Sequence, residues 1–104
     1  MILIETPIFT REITRLMGEE EYRELQQVLV KRPDAGVLIP GSGGLRKIRW
    51  AVAGAGKRGG ARIIYYWHVP DAIFLLYPFK KNEAEDLTKD QVKKLGNLVK
   101  EWLK

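Results

Sequence analysis

The sequence predicts an α+β fold: an antiparallel β-sheet with two N-terminal helices and a C-terminal helix, in the order β-α-α-β-β-β-α. Three observations predict it. Apolar residues recur at helical spacing twice near the front of the chain and once at its end. Between Leu45 and Phe79, β-branched and aromatic residues form three runs punctuated by glycine or proline. Short connections join those runs, as in a meander, and the helices are expected to cover one face of the sheet. With 104 residues, 45% of them hydrophobic, the chain is expected to be one domain, since it can fill one core but not two.

Residues 2–5 form a first short strand. Thr6 and Pro7 then supply an N-cap and a proline at the first helical position, and Phe9, Ile13 and Leu16 make the apolar stripe of a helix that Gly18 breaks. The second helix opens on Glu19, Glu20 and Glu21, which suit the positive end of its dipole. It shows Tyr22, Leu25 and Leu29 on one face and finishes with Lys31 and Arg32 before Pro33. Residues 40–44, Pro-Gly-Ser-Gly-Gly, lead into a strand over 45–53. A second strand over 61–69 and a third over 72–79 meet at a Val69-Pro70-Asp71 turn. The last helix, from about Lys89, has a capping box in Thr88 and Gln91, a hydrophobic staple in Leu87 and Val92, and a stripe of Val92, Leu95, Val99 and Trp102.

Charge is distributed unevenly. The thirty-six residues between Asp34 and Asp71 contain no acid but hold Arg46, Lys47, Arg49, Lys57, Arg58 and Arg62. Residues 1–34 carry five Lys/Arg against seven acids and residues 71–104 carry seven against six, so the net charge of +5 is local to the central window. Cations for solubility alone would not exclude acids from so long a stretch. The window predicts attraction to a polyanion, above all a nucleic-acid backbone.

Strand alternation sorts these charges. Lys47 and Arg49 share one face, while Arg46, Ile48 and Trp50 share the other. In the next strand Arg62, Ile64, Tyr66 and His68 oppose Ile63, Tyr65 and Trp67. If Ile48, Trp50, Ile63, Tyr65 and Trp67 face the helices, Lys47, Arg49 and Arg62 converge on the open face. Lys57 and Arg58 then sit at the hairpin tip, and Lys80 and Lys81 close the third strand. The doublet leaves two registers open, which differ in which lysine faces the site.

Several other chemistries find no support in the residues. The run Gly54-Ala55-Gly56-Lys57-Arg58-Gly59 has dinucleotide-loop spacing, but β-branched and aromatic residues follow it where a helix is required. As a phosphate loop it lacks the Ser or Thr after Gly56-Lys57. His68 is the only histidine and lies roughly 20 Å along the strand from Arg62. The acids Glu83, Glu85 and Asp86 suit the start of a helical turn. No metal or other cofactor is expected, for want of ligand spacing. Having no cysteine, the chain has no thiol nucleophile or disulfide. With no apolar run of membrane-spanning length and no basic signal-peptide start, it is expected to be cytoplasmic.

The block Gly43 to Arg49, the block Gly56 to Tyr66 reading GKRGGARIIYY, and Lys81-Asn82-Glu83 with Asp86-Leu87 resemble the RelE-like toxins of toxin–antitoxin modules, in particular the HigB branch. The resemblance implies a compact sheet with two N-terminal helices and a C-terminal one. It also implies endonucleolytic cleavage of messenger RNA in the ribosomal A site, and silencing by a co-expressed antitoxin with a helix-turn-helix pattern. Carried over by position, it implies Lys47, Arg49, Arg62 and Lys81 as catalytic residues; the neighbouring cations Arg46, Lys57, Arg58 and Lys80 are expected to bind the RNA.

The implied chemistry suits these residues. Attack of a ribose 2′-hydroxyl on the adjacent phosphate builds charge on the non-bridging oxygens, which guanidinium groups such as Arg49 and Arg62 stabilise. A lysine serves as base where neighbouring cations ease the loss of its proton, which makes Lys47 and Lys81 the candidates for base and acid. Tyr66 or Tyr77 could stack on a base or simply pack in the core. Two alternatives stand beside this reading: a ParE-like inhibitor of DNA gyrase with the same fold, and a non-catalytic nucleic-acid-binding module.

Overall fold

Strand β1 (Ile2–Glu5) hands over to helix α1 (Pro7–Leu16) through Thr6, whose buried hydroxyl serves two partners. It accepts the Phe9 N–H at 2.9 Å, capping α1, and donates to the Leu76 carbonyl at 2.8 Å, tying the helix start to the sheet. Gly18 separates α1 from α2 (Glu19–Lys31), and its N–H donates to Glu21 Oε1 at 3.3 Å. The computed structural model describes residues 1–51, 60–81 and 86–103. Beyond α2 come β2 (Val37–Leu38), β3 (Leu45–Trp50), β4 (Ala61–His68), β5 (Ala72–Lys80) and α3 (Lys89–Trp102).

The five strands form one sheet in the order β1-β5-β4-β3-β2. β3, β4 and β5 are the expected antiparallel meander, with Arg49 opposite Arg62 and Ile64 opposite Tyr77. Leu76 is the extra residue where the β4–β5 register shifts, between the Ile64–Tyr77 and Tyr65–Leu75 pairs. Its carbonyl is the one that Thr6 satisfies.

In two respects the sheet differs from the expected one. It is mixed and not wholly antiparallel, because β1 runs parallel to β5, and a two-residue β2 covers the outer edge of β3. Both additions pair backbone that a bare three-stranded meander leaves open at its edges.

A further difference concerns the layers. The helices were expected on one face, but α3 packs on the face opposite α1 and α2. Phe9, Ile13, Leu25 and Leu29 meet Ile48, Ile63, Tyr65, Ile73 and Leu75 in one cluster. On the other side Val99, with Val92 and Leu95, meets Leu45, Ile64, Phe74, Leu76 and Phe79. The cause lies in β4 and β5, which are apolar on both faces, so a single helical layer would leave Ile64, Phe74 and Leu76 in water. Burying each such side chain contributes about 1.5–3 kcal/mol.

Two polar anchors tie loops and helices to the sheet. The fully buried Tyr65 hydroxyl donates to the Pro33 carbonyl at 2.7 Å and accepts the Gly36 N–H at 2.8 Å, pinning the approach to β2. Across the molecule the Glu5 carboxylate accepts from the hydroxyls of Thr10 and Tyr22. Burial, then the adjacent Glu5, raises the pKa of the Tyr22 hydroxyl.

Candidate active site

Lys47 and Arg49 follow the buried Leu45 along one face of β3, the face that α3 shares. Arg62 follows the same rule on β4 and lies directly across the ladder from Arg49. Beyond β5, the Lys81 N–H donates to the Gly60 carbonyl at 3.1 Å, which extends the β4–β5 pairing by one step. Arg49, Arg62 and Lys81 therefore meet in a pocket of about 250 Å³ whose other walls are Trp50, Ala51 and Gly60. Gly60 is required there, because a Cβ would stand 2.9 Å from the Trp50 carbonyl oxygen and 3.6 Å from Arg62 Nη1.

Arg62 is the buried member, 7% exposed. Among the described residues its guanidinium donates only to the Ala61 carbonyl, at a long 3.4 Å. Burial lowers its pKa, and the facing Arg49 lowers it further, against the opposing pull of Asp86. A guanidinium nonetheless keeps its proton at neutral pH. The pocket thus holds a desolvated cation beside a second cation and an exposed lysine, an arrangement that an entering anion with several acceptor oxygens would relieve.

Lys47 is held differently. Its Nζ donates to Asp86 Oδ2 at 2.8 Å, while Asp86 Oδ1 accepts the Leu87 N–H at 2.9 Å just before α3. The Lys47 hydrogen bond is the main cause that depresses the Asp86 pKa. Lys47 lines a neighbouring hollow with Ala35, Val37, Ile48 and Arg49, so Arg49 is the wall common to both spaces. The sequence reading asked for a lysine crowded by cations, whereas Lys47 is paired with a carboxylate.

The remaining expected residues are placed as follows. Arg46 lies on the α1–α2 face with Ile48 and Trp50, as strand alternation places it, and donates to the carbonyls of Gly36 at 2.8 Å and Asp34 at 3.3 Å, so it braces a turn away from the pocket. Lys80 is opposite Ala61 in the ladder and shares that residue's face, which settles the doublet in favour of Lys81. Lys57, Arg58 and the glycine run at 54–59 lie outside the described residues. Tyr66 leans on Phe74 and Tyr77 stacks on Phe79, with ring centroids 6.4 and 6.1 Å apart, so both pack against the second core. His68 is exposed at the far end of β4. Asp86 is the site residue that sequence reasoning missed; its role is visible only once α3 is known to share the face of Lys47.

Arginines facing each other across a hairpin, joined by a lysine at the end of the next strand, define a small α+β protein with a cation-lined pocket. Residues 11–104 match the family described as "RelE toxin of RelE / RelB toxin-antitoxin system". The chain belongs to that family, and the match takes in every residue of the pocket. Membership makes it a toxin of such a module, with a cognate antitoxin as partner. Among the described residues, no helix is long and apolar enough to cross a membrane.

Proposed function

We propose that the protein is a ribosome-dependent endoribonuclease that cuts messenger RNA in the A site, within the HigB branch of its family. The observation that carries this reading is the convergence of Arg49, Arg62 and Lys81 on one pocket. The scissile phosphate sits between the two guanidinium groups, which hold its non-bridging oxygens as negative charge grows there. The 2′-oxygen bonds to phosphorus, its proton passes to a base, the bond to the 5′-oxygen breaks, and that oxygen receives a proton from an acid. Lys81, exposed and in the cationic pocket, is the better-placed lysine for one of these transfers. Lys47, paired with Asp86, positions the flanking backbone. Arg46 and Lys80 have no part in the pocket, and Lys57 and Arg58 belong to the proposed RNA-binding set. The reading carries a cytoplasmic location with it.

The test is induced expression with translation followed by labelled amino-acid incorporation and RNA 5′ ends mapped across transcripts. Cuts within codons that require ribosomes, abolished by Arg62→Ala, support the reading. Growth arrest with intact messages and inhibited gyrase supercoiling would assign the ParE-like activity instead.

A further inference from the structure

A cavity of about 630 Å³ lies away from the cation pocket, between α3 and the turn at residues 40–44. Half-buried Ile39, Leu87 and Val92 make its floor, continuous with the second core. Both walls are fixed. Ser42 Oγ donates to the Ile39 carbonyl at 2.6 Å and accepts the Leu45 N–H at 3.0 Å, which locks the turn. On the helix, Gly96 permits the close approach, since a Cβ would come 3.1 Å from the Ser42 carbonyl oxygen.

The rim is basic. Lys89, Lys93 and Lys100 line the groove, are exposed, and make no ion pair among the described residues; Lys94, which does pair with Asp90 at 3.3 Å, lies outside it. Among the described residues no acid lines the space. Charge complementarity therefore selects an anionic occupant. The floor chooses between kinds of anion: it offers branched aliphatic side chains and no aromatic ring on which a nucleobase would stack. Leucine, isoleucine or valine anchors flanked by carboxylates fit both features.

We propose that this groove docks an acidic segment of the antitoxin, its aliphatic side chains on Ile39, Leu87 and Val92 and its carboxylates on the three lysines. The inference rests on family membership and is independent of the chemistry at Arg49, Arg62 and Lys81. A segment so placed touches Leu87, next to the Asp86 that pairs with Lys47, and leaves the cation pocket open.

The experiment co-expresses the chain with the small protein encoded by the adjoining reading frame and purifies the complex. Hydrogen exchange should show protection at 39–44 and 87–100 on complex formation. The double variant Lys93→Glu, Lys100→Glu, at exposed positions, should weaken calorimetric affinity for that protein by about tenfold or more, with growth arrest and melting temperature retained. Unchanged affinity, or protection confined to α1 and α2 or to β3 and β4, would overturn the proposal. So would a double variant that loses ribosome binding but keeps its partner, because the groove would then belong to nucleic acid.

Discussion

Replacing Arg62 by Met is expected to make the protein more stable and less active at once. The side chain is 7% exposed, donates only a 3.4 Å bond among the described residues, and faces Arg49 directly across the ladder. Like charges opposed across strands cost about 0.2–1 kcal/mol. Where buried ion pairs have been exchanged for apolar residues of similar volume, the change has run from about zero to a gain of about 4 kcal/mol, and Arg62 has no carboxylate partner to lose among the described residues. A net gain of about 1–2 kcal/mol follows for Met, which fills most of the volume and removes the repulsion. In a domain of this size each kcal/mol moves the melting temperature by about 4–8 °C. Activity should fall by about 10²–10³-fold, the usual cost of removing one preorganised donor from a developing oxyanion. Thermal melts by circular dichroism and ribosome-programmed cleavage assays read the two effects. Arg62→Lys serves as control, keeping the charge but losing the fork, and should lose activity without the rise in melting temperature. A Met variant that melts below the parent would refute the reasoning, because the guanidinium would then be a net stabilising group.

Other substitutions follow from the same geometry. Asp86 has its pKa depressed below the ordinary 3.8, so its pairing stabilises the fold fully above that value, and the contribution is lost as pH falls through the depressed one. With the carboxylate 57% exposed the pair is worth only about 0.2–1 kcal/mol, so Asp86→Asn should melt slightly lower at neutral pH and converge with the parent in acid. Gly36→Ala would set a methyl 2.8 Å from the Tyr65 hydroxyl and 3.0 Å from the Lys47 carbonyl oxygen; denaturant titration should register a loss of about 1–3 kcal/mol. Lys81→Ala, at an exposed position, should leave the melt unchanged and flatten the plot of log affinity for single-stranded RNA against log salt by about 0.7, the share of one phosphate contact.

The parts of the fold that were legible in the sequence are those that local chemistry decides. Thr6-Pro7, Gly18 and the Thr88–Gln91 box mark helix ends because each satisfies backbone groups within its own turn, and those ends fall where the chain predicts them. What could not be read depends on distant partners. The parallel pairing of β1 with β5 joins residues some seventy positions apart, and no local pattern specifies its direction. The side on which α3 packs was more accessible than the reading made it: the unbroken apolar runs Ile63–Tyr66 and Ile73–Leu76 mark strands buried on both faces, where an alternating pattern would mark one. Arg46 shows the limit of charge alone, since its cation serves the carbonyls of Asp34 and Gly36.

The placement of the cations is coupled to the core by the strand period itself. Arg49 lies between Ile48 and Trp50, and Arg62 between Ala61 and Ile63, and all four neighbours belong to the α1–α2 cluster. A slip of one residue in either strand would drive a guanidinium into that cluster and carry an isoleucine to the other face, so the hydrophobic energy that sets the register also aligns the two arginines. This explains how mutually repelling charges are held together in one pocket: the repulsion, about a kcal/mol, is small beside the several kcal/mol of apolar burial that fixes each strand. It also implies that the pocket's geometry answers to packing beneath it. A trimmed side chain at Ile48 or Ile63, touching no substrate, would shift the Arg49–Arg62 pair and reach the chemistry through the sheet.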